Sequence, residues 1–81
     1  MDKIRVLIAD DHSLVRRGLK QILELEKDFE VVGQAADGRQ AIEMTTSLKP
    51  DVVLMDINMP IINGIKAIKM LKENNTSARI I

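Results

Sequence analysis

The 81 residues include no cysteine, no tryptophan and no tyrosine, and only one phenylalanine, one histidine, two prolines and four glycines. Without cysteine there can be no disulfide, thiolate metal site or cysteine nucleophile. The lone imidazole, His12, cannot build a histidine-rich metal centre. No apolar run approaches the roughly 20 residues needed to span a bilayer. Met1-Asp2-Lys3 passes straight into an apolar segment, so no signal peptide is expected and a cytoplasmic location is. Excess charge of either sign is missing as well. The 12 basic and 12 acidic side chains cancel, leaving no general field to draw the chain to nucleic acid or an anionic membrane. No glycine-rich turn follows any strand-like run, which argues against a nucleotide-binding loop.

What is present suits a soluble globular domain, with 46% hydrophobic and 30% charged residues. The length allows one small domain. Such a fold buries only roughly 60–65% of the surface its unfolded chain exposes, so marginal stability is expected. The stretch that organises the reading is Asp51-Val52-Val53-Leu54-Met55-Asp56-Ile57-Asn58-Met59-Pro60. Its apolar run is short, bounded by proline on both sides and apolar at every position. That pattern fits a strand buried on both faces in a parallel sheet. Asp56 then sits at the strand's carboxyl end, where open α/β sheets place their ligands.

Taken in order, Ile4 to Ala9 reads as a first strand ending in Asp10-Asp11. Ser13 is the expected N-cap of a helix whose Leu14, Val15, Gly18, Leu19, Ile22 and Leu23 recur at helical spacing and which fades near Glu26-Lys27-Asp28. Phe29 to Ala35 reads as a second strand with a closely packed point at Gly33. Asp37 is placed to cap a second helix lined by Ala41, Ile42, Thr45 and Leu48 and stopped near Pro50. After the central strand, Asn63 is the expected cap of a third helix, with Gly64 in its first turn. Ile65, Ile68 and Leu71 form its apolar stripe. Glu73 to Ser77 carries turn chemistry, and Ala78 to Ile81 begins a fourth strand. Strands alternating with helices imply a single α/β unit with parallel pairing through right-handed crossovers.

Acid follows an apolar strand twice, at Asp10-Asp11 and at Asp56. If those strands are neighbours, three carboxylates converge. Two like charges 4 Å apart repel by roughly 4 kcal/mol at an effective dielectric of 20. Either one carboxylate keeps its proton or a cation sits among them. A hard divalent ion with oxygen ligands suits the donors, and Mg²⁺ fits because it retains waters and takes one or two carboxylates. Plainer readings exist for each residue alone. Asp10-Asp11 could serve only as helix-start electrostatics, Asp56 and Asn58 as turn formers, His12 as a solvated first-turn residue, and Lys66, Lys69 and Lys72 as a solvated face. Residues alone lead to a divalent-metal or phosphate site and no further.

The order and spacing of Ile4-Arg5-Val6-Leu7-Ile8-Ala9-Asp10-Asp11-His12, Ala36-Asp37-Gly38-Arg39-Gln40-Ala41, Asp51 to Pro60, and Asn63-Gly64-Ile65 resemble those of a bacterial two-component response-regulator receiver domain. The stretch Asp11 to Leu19 is similar to the subfamily with a LuxR-type helix-turn-helix effector. The resemblance implies an α/β, flavodoxin-like doubly wound parallel sheet with strand order 2-1-3(-4). Asp56 matches the phosphoacceptor that takes a phosphoryl group from a sensor histidine kinase. Asp10 and Asp11 match the acidic pair that positions Mg²⁺, Asn58 the residue whose backbone carbonyl completes the metal shell, and Met59, Pro60 and Gly64 the loop that shapes the site. DNA would be reached only through an effector domain.

The family also places a Ser or Thr at the end of strand four and a Lys at the end of strand five. Residues 1–81 supply neither, and are expected to be the N-terminal part of a receiver domain, lacking strand 5 and helices 4 and 5. In that state the Val52–Met55 strand would lie near an exposed edge and part of the Leu19/Ile22/Leu23 face would be uncovered, inviting self-association. Two rivals stand beside the phosphoacceptor reading. One is an inactive interaction fragment. The other is a Mg²⁺-dependent aspartyl phosphohydrolase, which typically has a second acid two residues after its nucleophile, where this chain has Asn58.

Overall fold

The computed structural model describes residues 3–59, 61–73 and 77–81. Four strands and three helices alternate: β1 (Ile4–Ala9), α1 (Ser13–Glu24), β2 (Phe29–Ala35), α2 (Gly38–Leu48), β3 (Val52–Met55), α3 (Gly64–Glu73) and β4 (Arg79–Ile80). The strands form one parallel sheet in the order β2-β1-β3-β4. This is the doubly wound, flavodoxin-like arrangement, with order 2-1-3-4. Of the turn expected between Glu73 and Ser77, residues 74–76 lie outside the described residues.

Two-residue alternation along the strands sorts their side chains between two faces. Leu7 and Gly33 face α2: a Cβ added at Gly33 would lie 3.0 Å from Leu48 Cδ1 and 3.2 Å from Leu7 Cδ1. The β1–β2 register shifts between Val6 and Leu7, so Val32 has no partner of its own just before this tight point. Ala9, Ala35, Ala41 and Met59 form a buried cluster on the same side, with Met44 and Met55 packed against it. α3 lies beside α2. α1 covers the other face, packing on β2 and β1.

β1 is buried from Val6 to Ala9, as its central position requires. β3 departs from the expected burial on both faces: Val53 is buried, whereas Val52, Leu54 and Met55 are half-buried. α1 packs on β2 and β1, which leaves the α1 side of β3 partly open. The expected fourth strand lies beside β3. β4 pairs with it at Val52↔Arg79 and Val53↔Ile80, and the Met55 N–H donates to the Ile81 carbonyl at 2.9 Å. The outer edge therefore belongs to β4.

Helix starts divide into two kinds. Asp37 caps α2, accepting from the Gln40 N–H at 2.8 Å, and Asn63 accepts from the Lys66 N–H at 2.9 Å. Both follow the expected geometry. Ser13, the expected cap of α1, is instead its first helical residue; His12 is the N-cap and makes no side-chain cap bond. The Asp10 carboxylate accepts the His12 N–H at 2.9 Å, and the His12 carbonyl accepts the first helical bond, from the Arg16 N–H at 3.0 Å, so the helix starts one residue earlier than expected. α1 closes at Glu24, slightly before the expected fade. In α3 the buried face is Gly64, Ala67 and Leu71. Ile65 is 54% exposed, so the expected stripe is rotated: Leu71 is buried as expected, and the small Ala67 is buried where Ile65 is not.

Candidate functional site

Three backbone bonds bring the carboxyl ends of the strands together. The Asp10 N–H donates to the Ala35 carbonyl at 3.0 Å, and the Asp56 N–H donates to the Ala9 carbonyl at 2.8 Å. The Gly64 N–H donates to the Ile57 carbonyl at 2.8 Å, folding the β3–α3 loop back onto the strand end. A Cβ at Gly64 would collide with the Asp56 carbonyl, so this loop closes only around glycine.

Asp10, Asp11, His12 and Asp56 each offer one ligand atom, and these four atoms lie within 4.8 Å of one another. Asp10 and Asp56 are half-buried, whereas Asp11 and His12 are exposed. The His12 Nδ1 lies 2.7 Å from Asp10 Oδ1 and 3.0 Å from Asp11 Oδ1. His12 therefore is solvated, as expected, with a side chain 65% exposed, but it also bridges two of the acids. Periodicity cannot signal this contact, because it depends on how the chain turns out of β1.

The charges respond accordingly. Burial by itself raises the Asp10 carboxyl, but hydrogen bonds from the His12 backbone and ring, with the charges of His12 and Arg16, outweigh it and hold Asp10 below its ordinary value. His12 is raised, first by its hydrogen bond to Asp10 and then by the charges of Asp11, Asp10 and Asp56. The Arg16 Nη1 donates to the Asp10 carbonyl at 2.6 Å and secures the start of α1 to the end of β1.

The remaining expected site residues fall around this cluster. The Asn58 N–H donates to Asp56 Oδ1 at 3.2 Å, orienting the carboxylate. Among the described residues no donor reaches Asp56 Oδ2. Met59 is buried in the α2-side cluster and anchors the loop by packing. Gly64 holds the loop's return, and Pro60 lies outside the described residues. On the α1 side, an open cleft of about 190 Å³ has Asp10 and Asp56 at its mouth and Ile8, Leu19, Leu54 and Ile81 along its walls. Sequence reasoning missed Gly38, whose Cα lies against the Ile62 carbonyl. The Asp37-Gly38 pair signals a turn, and only the fold shows what lies over it.

Oxygen donors around one Mg²⁺ lie about 2.1 Å from it, so opposite donors stand about 4.2 Å apart. A cluster whose donors span 4.8 Å or less fits such an ion after small side-chain adjustments. Asp10, Asp11 and Asp56 supply the hard oxygens that Mg²⁺ prefers. No described helix is long and apolar enough to cross a membrane.

Comparison with known proteins extends the reading. Residues 6–81 match the family model for the response regulator receiver domain. The chain is 43% identical over 76 residues to the nitrate/nitrite response regulator protein NarL of Escherichia coli (strain K12), covering 94% of this chain and 35% of that protein. It is 44% identical over 80 residues to the transcriptional regulatory protein DegU of Brevibacillus brevis, covering 99% of this chain and 34% of that one. Among solved structures, the signal receiver domain of NarL from Mycobacterium tuberculosis superposes with a TM-score of 0.95 at 35% identity, covering 99% of this chain and 64% of that chain. The chain thus spans about a third of the length of these two curated relatives. A parallel 2-1-3-4 sheet, an acidic cluster at its carboxyl end and a family match over nearly the whole sequence converge: the chain belongs to the response regulator receiver domain family.

Proposed function

We propose that this chain is the phosphoacceptor part of a two-component transcriptional regulator, taking a phosphoryl group on Asp56 from a sensor histidine kinase with Mg²⁺ as cofactor. The observation that carries the proposal is the convergence of the Asp10, Asp11 and Asp56 donors within 4.8 Å at the ends of two adjacent parallel strands. Asp10, Asp11, Asp56 and the Asn58 backbone carbonyl would hold the ion, and Met59, Pro60 and Gly64 would shape the loop around it. When bound, Mg²⁺ neutralises charge on the transferring phosphoryl oxygens.

The chain's own part follows from its geometry. The Asn58 N–H holds Asp56 Oδ1, which leaves Oδ2 as the nucleophile. Oδ2 attacks phosphorus as the P–N bond of the donor phosphohistidine breaks, and that electron pair returns to the imidazole. The product is an acyl phosphate on Asp56. An effector domain of LuxR type would convert that mark into control of transcription. A phosphohydrolase is less well supported, because residue 58 is Asn and contributes its N–H rather than a second acid.

Acetyl phosphate with intact-mass detection tests the proposal. One Mg²⁺-dependent, hydroxylamine-labile phosphoryl adduct is expected, absent from Asp56→Asn. An adduct that survives in that variant, or forms equally well in excess chelator, refutes it.

Self-association is favoured by a separate observation. No residue of α1 is buried, and Leu14, Ile22 and Leu25 are 77%, 63% and 82% exposed. Together with the outer β4 edge this offers surface to a second copy of the chain. Sedimentation should show a concentration-dependent dimer, and a monomer at high micromolar concentration would exclude it.

A further inference from the structure

We infer that Gly38 is a positioning residue for the acidic site: the first residue of α2 sets the loop that follows Asp56 by direct contact with the Ile62 carbonyl. The inference rests on the metal-binding role proposed above. Gly38 is buried. A Cβ built on it would overlap the Ile62 carbonyl oxygen, and would lie 2.6 Å from its carbon and 2.9 Å from Ile62 Cβ. Two ordinary reasons for a glycine do not apply. No glycine in the described chain has positive φ, so the backbone does not demand one here. Glycine is also among the poorest helix formers. What it supplies is closeness, since only a Cα without a side chain lets the loop carbonyl rest on the helix start.

The loop is thereby held at two points. Gly64 closes it onto the Asp56 carbonyl, and Gly38 backs it from α2. Between them Ile61 adopts φ 70, turning the chain immediately before the contacting Ile62. The platform behind Gly38 is itself braced. Asp37 accepts from the Gln40 N–H, and Gln40 Oε1 accepts from the Ala36 N–H at 2.8 Å, a reciprocal arrangement like a capping box. One residue earlier, the Ala35 carbonyl accepts the Asp10 N–H. Residues 35–38 therefore touch the backbone of both acid-bearing segments, Asp10 directly and the Asp56 loop through Ile62. A shift of this stretch changes the separation of the carboxylates, and supporting contacts of that kind typically alter metal affinity by about 10–100-fold.

The test uses ¹H–¹⁵N spectra of the 81-residue chain, first without metal and then during Mg²⁺ titration. Gly38→Ala should displace the Asp56, Asn58 and Gly64 amide resonances without metal and weaken Mg²⁺ binding by about tenfold. Thr45→Ala, buried two turns further along α2, should melt at lower temperature yet keep both the loop resonances and the Mg²⁺ affinity. Gln40→Ala, at an exposed position, loosens the same platform without adding bulk and should give a smaller loss of Mg²⁺ affinity, which keeps the inference testable if Gly38→Ala does not fold. Wild-type loop resonances in Gly38→Ala, or unchanged Mg²⁺ affinity in it or in Gln40→Ala, overturn the inference. If the wild-type chain itself shows no Mg²⁺-dependent shift at Asp56, the proposed function fails instead, and the metal-free loop resonances alone decide whether Gly38 positions the loop.

Discussion

Replacing Ile61 by glycine should stabilise the protein, although it removes a large apolar side chain. Ile61 has φ 70 and is 75% exposed, so truncation forfeits little burial. An L-residue in the left-handed region costs about 1–2 kcal/mol from the clash of Cβ with the following carbonyl, and a β-branched residue there is a true outlier. Glycine removes that clash but adds unfolded-state freedom worth about 0.5–1 kcal/mol. The net expectation is a gain of about 0.5–1 kcal/mol, a rise in Tm of roughly 2–8 °C for a domain of this size. Asparagine tolerates this region without glycine's extra entropy, so Ile61→Asn should gain a similar amount. Ile61→Val keeps the β-branch and should change little. Urea unfolding followed by circular dichroism measures all three. A destabilised Ile61→Gly beside a neutral Ile61→Val would refute the reasoning, showing that the side chain contributes more than its backbone conformation costs.

Two further predictions concern the start of each helix and the charge at the site. Asn63→Ala should cost about 1 kcal/mol through loss of the α3 cap, whereas Ser13→Ala should be near neutral because Ser13 caps nothing; equal losses in urea midpoint would contradict the capping geometry. The His12–Asp10 contact should give stability that depends on pH in a bounded window. His12 is raised in the folded state, so its contribution is complete below its ordinary value of about 6.5 and is lost as pH rises through the raised value. Asp10 is lowered, so its contribution is present above about 3.9 and lost as pH falls through the lowered value. The stability gap between wild type and His12→Gln should therefore be widest at mildly acidic pH and shrink on both sides. A gap independent of pH would show that the contact is not ionic.

Much of the architecture was legible because its signals are local. The Ile4–Ala9 run, apolar except at Arg5, and the unbroken Val52–Met55 run, each followed by acid, mark central parallel strands whose ends match those observed. Asp37 and Asn63 cap helices because a short side-chain oxygen beside a starting turn needs no tertiary partner. Asp10, Asp11 and Asp56 could be singled out for a similar reason: charge directly after a buried strand has to emerge at the sheet's end.

The residues that sequence misplaced depend on what lies opposite them. Ile65 has the right spacing for a core position yet is exposed, because the buried face of α3 runs through Gly64, Ala67 and Leu71. The α1 side of β3 is partly open because α1 packs on the neighbouring strands, which no period in the chain records. Ser13 is a good cap by type, but the His12 carbonyl already accepts the first helical bond, from the Arg16 N–H, so the helix starts one residue earlier. His12 joins the acids only because the chain turns sharply out of β1. The sequence by itself determined the element order, the parallel class and which acids gather at the sheet's end, since these follow from local polarity and chain geometry. The tertiary structure alone decided which side chains and loops meet: the Gly38–Ile62 contact, the His12 bridge and the open α1 side of β3. Such contacts join residues distant in sequence or across a turn, and their geometry exists only once the sheet has fixed the ends of its strands.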